Sequence, residues 1–188
     1  MKTIILAAAL TCACLPGLAQ KNSPSRKFKF SSVNQFGLLL GEKGESVSLQ
    51  TINGVRKSSW SAGIGTGIDL YSQRSVPLFI DVRKEFTQAS NKPFVYLDGG
   101  VNFQWMNYIQ KEQRRSADTK PGAYYEAGLG YNIFMRHQSA FVLSAGYTYK
   151  RIREEYMNYR LMRGVYGESP EQMISQYRRL VIRIGIRL

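Results

Sequence analysis

The sequence is poor in the residues that carry covalent and metal chemistry. It has two cysteines and one histidine in 188 residues. Cys12 and Cys14 both lie in an N-terminal segment ordered like a secretory signal. Lys2 is followed by an apolar run from Thr3 to Cys14, then by Leu15-Pro16-Gly17-Leu18-Ala19. Neither cysteine has the Leu-small-small approach of a lipid anchor. Cleavage after Ala19 leaves residues 20–188 without a thiol, and so without a disulfide. His137 alone cannot build a zinc site. No metal and no cofactor is therefore expected. No later run approaches the ~20 apolar residues of a spanning helix.

Acidic residues are also scarce: 13 Asp and Glu stand against 26 Lys and Arg, for a net charge of +13. A basic excess raises the thought of nucleic acid. An exported chain does not meet it, and the basic residues form no single stripe. They gather near residues 20–27 and in two connections, which points to an anionic membrane surface.

What the sequence has is alternation. The residues from Arg179 to Leu188 place Leu180, Ile182, Ile184, Ile186 and Leu188 on one face. Val181, Arg183, Gly185 and Arg187 fall on the other. Trp60, Ala62, Ile64, Thr66, Ile68 and Leu70 oppose Ser61, Gly63, Gly65, Gly67 and Asp69 in the same way. The pattern repeats in residues 28–41, 47–52, 78–85, 95–105, 123–133 and 141–150. Asn53-Gly54 reads as a two-residue hairpin turn. Residues 107–122 read as a long polar connection, and Arg151 to about Ser175 as a longer one, with a helical turn over Glu171–Tyr177. Eight amphipathic strands with no internal repeat predict an all-β barrel or sandwich.

Two barrels share that pattern. In a soluble, lipocalin-like periplasmic binder the aliphatic row faces inward. In a membrane barrel it faces lipid and the polar row fills the lumen. The polar rows here are mostly Gly, Ser, Tyr, Asn and Gln, which suits a tight lumen better than a solvated face. The long connections fall on one side and the short ones on the other. Trp60, Trp105, Tyr125, Tyr131, Phe141, Tyr147 and Tyr149 stand near the ends of the outward rows, where interfacial girdles belong. The reading is an eight-stranded antiparallel up-and-down transmembrane β-barrel over residues 20–188, after a signal peptide over 1–19. It requires Ile182, Ile184 and Ile186 outside, and Arg183 and Arg187 enclosed.

The segments NQFGLLLGEKG (34–44), TINGV (51–55), WSAGIGTGIDLY (60–71), RSVPLFIDVRKEF (74–86) and RRLVIRIGIRL (178–188) resemble the small outer-membrane β-barrels of OmpA/OmpX type. The resemblance covers all of residues 20–188. It implies export to the outer membrane, insertion by the outer-membrane assembly machinery and a monomer surrounded by outer-membrane lipid. Such barrels usually end on an aromatic, where this sequence has Leu188.

Buried charges need partners. Asp69, Asp81, Asp98 and Glu126 are expected to offset Arg83, Lys150, Arg183 and Arg187 inside the lumen. Lys111, Arg114, Arg115 and Lys120 in the fifth connection are candidates for lipopolysaccharide phosphates. So are Arg151, Arg153, Arg160 and Arg163 in the seventh. The expected role is non-enzymatic: structural, adhesive or ligand contact through these basic loops. An enzyme acting on lipid would have to use His137 and Ser139, which fall on the side of the short turns. Gly63-Ile64-Gly65-Thr66-Gly67 has no helix after it and so is no dinucleotide fingerprint.

Overall fold

The computed structural model describes residues 28–86, 91–105, 116–135, 139–162 and 165–188. Residues 1–27, which include the expected signal segment, lie outside them. The strands are β1 (Lys29–Gly41), β2 (Gly44–Lys57), β3 (Trp60–Asp69), β4 (Ser75–Glu85) and β5 (Asn91–Gln104). They continue with β6 (Ser116–Lys120), β7 (Gly122–Phe134), β8 (Ala140–Met162) and β9 (Val165–Arg187). Every pairing is antiparallel, and β9 pairs with both β8 and β1, which closes the sheet into a barrel. Among the described residues there is no helix.

Pro121 divides β6 from β7, because proline has no N–H for the ladder. Both segments pair with β8: Lys120 lies opposite Arg153, and Tyr124 opposite Lys150. They form one stave, so the barrel wall has eight, as the alternation predicts.

Three local readings are corrected. Asn53-Gly54 is not a turn: β2 runs through it to Lys57, with Asn53 opposite Ser32 and Gly54 opposite Gly63. The turn falls later, at Ser58, which takes a φ of 56°. A strand from Gly44 to Ile52 would have nine residues, the least that crosses a bilayer, and would leave Lys29 to Ser32 of β1 without a β2 partner, so the wall overrides the local turn signal. A Cβ on Gly54 would lie 2.2 Å from the Ala62 carbonyl oxygen, so the glycine serves close strand approach.

The connection over Arg151–Ser175, with its helical turn, is also absent. β8 and β9 pair continuously from Ala140 opposite Arg187 to Met162 opposite Val165. Pairing of β9 with β1 stops at Arg179, so residues 165–178 carry the hairpin roughly 45 Å farther along the strand. The pairing is backbone to backbone, while the Asn, Gly, Ser and Pro of this stretch read locally as turn signals. For the same reason residues 116–120, read as part of a loop, are strand β6.

The core is the lumen. Outside, Ile182, Ile184 and Ile186 are 48%, 49% and 45% exposed; inside, Arg183 and Arg187 are 2% and 5% exposed. Val33, Ile52, Phe79, Phe94, Tyr96, Tyr124 and Val142 form one apolar cluster within, and Leu39, Tyr71, Ile152, Tyr177 and Val181 a second. Large inward rings sit opposite inward glycines: Phe79 faces Gly65, Phe94 faces Gly130 and Tyr96 faces Gly128. A Cβ on Gly65 would fall 2.3 Å from the Phe79 ring. Glycine on one strand leaves the room that an aromatic on the next fills, which suits a lumen only a few side chains wide.

Candidate functional site

The lumen is built from inward rows, and charge is distributed through it in three tiers. At the end that holds the chain terminus, Glu85 on β4 receives Arg187 (2.7 Å), Arg56 (3.0 Å) and Lys92 (3.5 Å). Asn132 Nδ2 also donates to Glu85. The same three cations surround the Phe134 ring, with Arg187 4.9 Å from its centroid.

The middle tier is centred on Glu126 of β7. Arg183 of β9 grips both its carboxylate oxygens, one at 2.8 Å. The Tyr96 and Tyr124 hydroxyls donate to the same carboxylate at 2.9 and 2.8 Å. Arg83 pairs with Asp81, two residues back on its own strand, at 2.8 Å, and its guanidinium lies over the Phe94 and Tyr96 rings.

In the upper tier Asp69, at the end of β3, receives Arg179 at 2.5 Å and Lys150 at 3.2 Å. Lys150 also donates to the Tyr71 and Gln73 carbonyl oxygens and to Ser75 Oγ. Tyr71 is buried beneath that turn. Its hydroxyl accepts from the Lys43 N–H, and its ring meets Tyr177 edge-on at 5.8 Å. The β3–β4 turn is thus pinned across the mouth of the barrel.

All eight charged residues anticipated in the lumen are buried there. The partner of Asp98 differs from expectation. Arg83 pairs with Asp81 and Arg183 with Glu126, while Asp98 stands opposite Asp81 in register, its Oδ1 without a hydrogen-bond partner. Glu85 and Arg179 escaped the sequence reading. The period of two placed both on inward rows, so the signal was present; what was missing was which strand ends lie at one height. With them, the buried charges among the described residues are five acids (Asp69, Asp81, Glu85, Asp98, Glu126) and five bases (Arg83, Lys150, Arg179, Arg183, Arg187). Asp69, Asp81, Glu85 and Glu126 hold all five of these bases in ion pairs, and that network plugs the lumen.

The basic candidates of the connections divide. Lys111, Arg114, Arg115, Arg163 and the lone His137 lie outside the described residues. Lys120 is exposed on β6. Arg151, Arg153 and Arg160 belong to strand β8 and not to a loop. Ser139 is in the short β7–β8 turn, where its carbonyl oxygen accepts from the Met135 N–H. No group of three or more metal-ligating side chains is found among the described residues.

A closed antiparallel barrel with an aliphatic wall and an ionic interior is the inverse of a soluble barrel, and it fits hydrocarbon. The fold is that of the small eight-stranded outer-membrane β-barrels. No family model matches the chain, and no curated protein matches it in sequence. Solved structures do. Neisserial surface protein A (NspA) is 14% identical, with 86% of this chain and 96% of that one covered, at a TM-score of 0.51. Outer membrane protein OprG from Pseudomonas aeruginosa is 9% identical, covering 84% and 94%, at 0.52. Outer membrane protein AlkL, solved in lipid bilayers, is 10% identical, covering 90% and 95%, at 0.50. At such identities the likeness establishes the fold.

Proposed function

We propose that this chain is exported and assembled into the outer membrane as a monomer, where it neither conducts nor catalyses. Its work is structural and adhesive, done by its tall basic end in contact with ligand. The observation that carries this reading is the pairing of a plugged lumen with a long hairpin. Ions on β3, β4, β7, β8 and β9 fill the interior, while β8 and β9 stand far above the wall. Buried acids and bases balance, so the net charge of +13 is carried by the rims, connections and termini. There it meets anionic headgroups. Lys111, Arg114, Arg115, Lys120, Arg160 and Arg163 are the loop and ribbon groups assigned to lipopolysaccharide phosphate, which arginine grips in two-point fashion.

Refolded protein in planar bilayers is expected to give no conductance steps, and in cells it is expected in the outer-membrane fraction after carbonate extraction, with heat-modifiable migration. Ohmic conductance would overturn the plugged reading; release by carbonate would overturn the membrane reading. His137→Ala with Ser139→Ala is expected to leave lipid A structure unchanged, whereas a changed pattern would make the chain an enzyme.

A further inference from the structure

The two rims of the wall satisfy their outward cations differently. At the end that holds the chain terminus, Lys57 lies 4.8 Å over the Phe28 ring and Lys84 lies 5.1 Å over the Trp60 ring. Those ammonium groups rest on the protein's own aromatics. At the tall end the outward row of β8 reads Phe141, Leu143, Ala145, Tyr147, Tyr149, and then Arg151 and Arg153. On β9, exposed Arg178 stands opposite Tyr149, continuing the row of Leu180, Ile182 and Ile184. Among the described residues none of these three arginines is in an ion pair, and Arg151 Nε is enclosed without a hydrogen-bond partner. Arg153 and Arg178 are exposed and Arg151 is half-exposed, all on the outward row.

Their height is informative. From Phe141 to Arg151 is roughly 33 Å along β8, or about 25 Å along the membrane normal at ~40° of tilt. The exposed positions from Arg74, just before β4, to Lys84 near its end repeat that span. The apolar band of such barrels is ~25 Å tall. Arg151 and Arg153 therefore sit at headgroup level, just beyond hydrocarbon, and Arg178, opposite Tyr149, sits at the upper edge of the apolar band, where its long side chain can reach the headgroups. Tyr125 and Tyr149, below Arg151 and level with Arg178, stack at 6.4 Å, where a tyrosine face and hydroxyl suit the wet-dry boundary. One register step above Arg153, Glu155 lies opposite Asp118 on β6.

We infer that Arg151, Arg153 and Arg178 form a seat on the lipid-facing wall for the phosphoryl groups of an outer-leaflet glycolipid, with the Tyr125–Tyr149 stack beneath its glycan. The inference rests on the outer-membrane reading above, but it moves the contact from the loops to the barrel wall. Guanidinium forks match phosphate oxygens, and three on adjacent rows match a headgroup that carries more than one phosphate.

The test uses the full-length mature chain in nanodiscs of neutral phospholipid, each doped with one of three lipids: lipid A, enzymatically dephosphorylated lipid A, or phosphatidylglycerol. Retained dopant is measured by native mass spectrometry. The wild-type protein is expected to retain lipid A over both other lipids. Arg151→Gln with Arg153→Gln and Arg178→Gln is expected to cut that retention about tenfold or more. Lys57→Gln with Lys84→Gln is expected to leave it unchanged, and heat-modifiable migration reports that each variant is folded. Equal retention of phosphatidylglycerol would mean general attraction to anions and would overturn the seat. So would undiminished lipid A in the folded triple variant. If that variant binds normally while Arg114→Gln with Arg115→Gln does not, the loop reading stands and the wall seat fails; if neither loses lipid A, both fail.

Discussion

Arg183 and Glu126 offer the sharpest trial of an ionic lumen. Both are buried, at 2% and 1% exposure, and two-point contact leaves no room for water between them. Glu126→Leu would strand the guanidinium and remove the acceptor of two buried hydroxyls, Tyr96 and Tyr124. Breaking a buried pair by removing one partner costs about 3–5 kcal/mol. Each stranded hydroxyl adds about 1 kcal/mol. The single variant should therefore lose about 5 kcal/mol or more, a large share of a typical folding free energy. Arg183→Met should lose about 3 kcal/mol or more, since Glu126 keeps its two tyrosine donors. Glu126→Leu with Arg183→Met removes both charges, and replacing a whole buried pair by apolar side chains is often neutral. The double variant should recover at least about 2 kcal/mol relative to the sum of the singles. The assay is urea unfolding of the refolded barrel in vesicles, followed by the fluorescence of Trp60 and Trp105. These are the chain's two tryptophans, and both are exposed on the wall, where they report contact with lipid. Additive losses, or a single Glu126→Leu loss below about 1 kcal/mol, would refute the claim that the lumen is held by mutually dependent charges.

Asp98→Asn removes a carboxylate that faces Asp81 across β4 and β5, so it should be neutral or stabilise the barrel by up to about 1 kcal/mol, whereas Asp81→Asn strands Arg83 and should destabilise it; opposite signs in the same unfolding assay are the check. Gly65→Val pushes a side chain into the Phe79 ring and should slow or block folding, while Phe79→Ala added to it should restore heat-modifiable migration. Residues 155–172 replaced by Asn-Gly would close the ribbon between Glu154 and Met173, which already face each other; the shortened barrel should fold with a stability within about 1 kcal/mol of the parent, and failure to fold would show that the ribbon belongs to the barrel's folding unit.

The wall was legible because each crossing strand has one face in contact with hydrocarbon. That contact writes Ile182, Ile184 and Ile186 against Arg183 and Arg187 with a period of two. The ribbon was not legible, because Asn158, Gly164, Gly167, Ser169 and Pro170 read as turn signals and outweighed the brief alternation of Met157, Tyr159 and Leu161 with Asn158 and Arg160. Asn53-Gly54 misled in the opposite direction. A local turn preference of the order of 1 kcal/mol is outweighed when stopping there would leave the backbone of Lys29 to Ser32 on β1 without a partner on β2. Of the lumen, the inward members could be read from parity alone. Glu85 with Arg187, and Asp69 with Arg179, could not be read as pairs, because those residues are far apart in sequence and meet only across the closed barrel.

The amino-acid order by itself determined which side chains share a face and that the aliphatic face had to meet something apolar. The tertiary structure alone decided which acid meets which base, where β2 turns and how far β8 and β9 rise. The physical reason is range: side-chain alternation is a property of neighbours along the chain, whereas an ion pair in the lumen and a register across the wall depend on barrel closure, which sets distant strands at a common height.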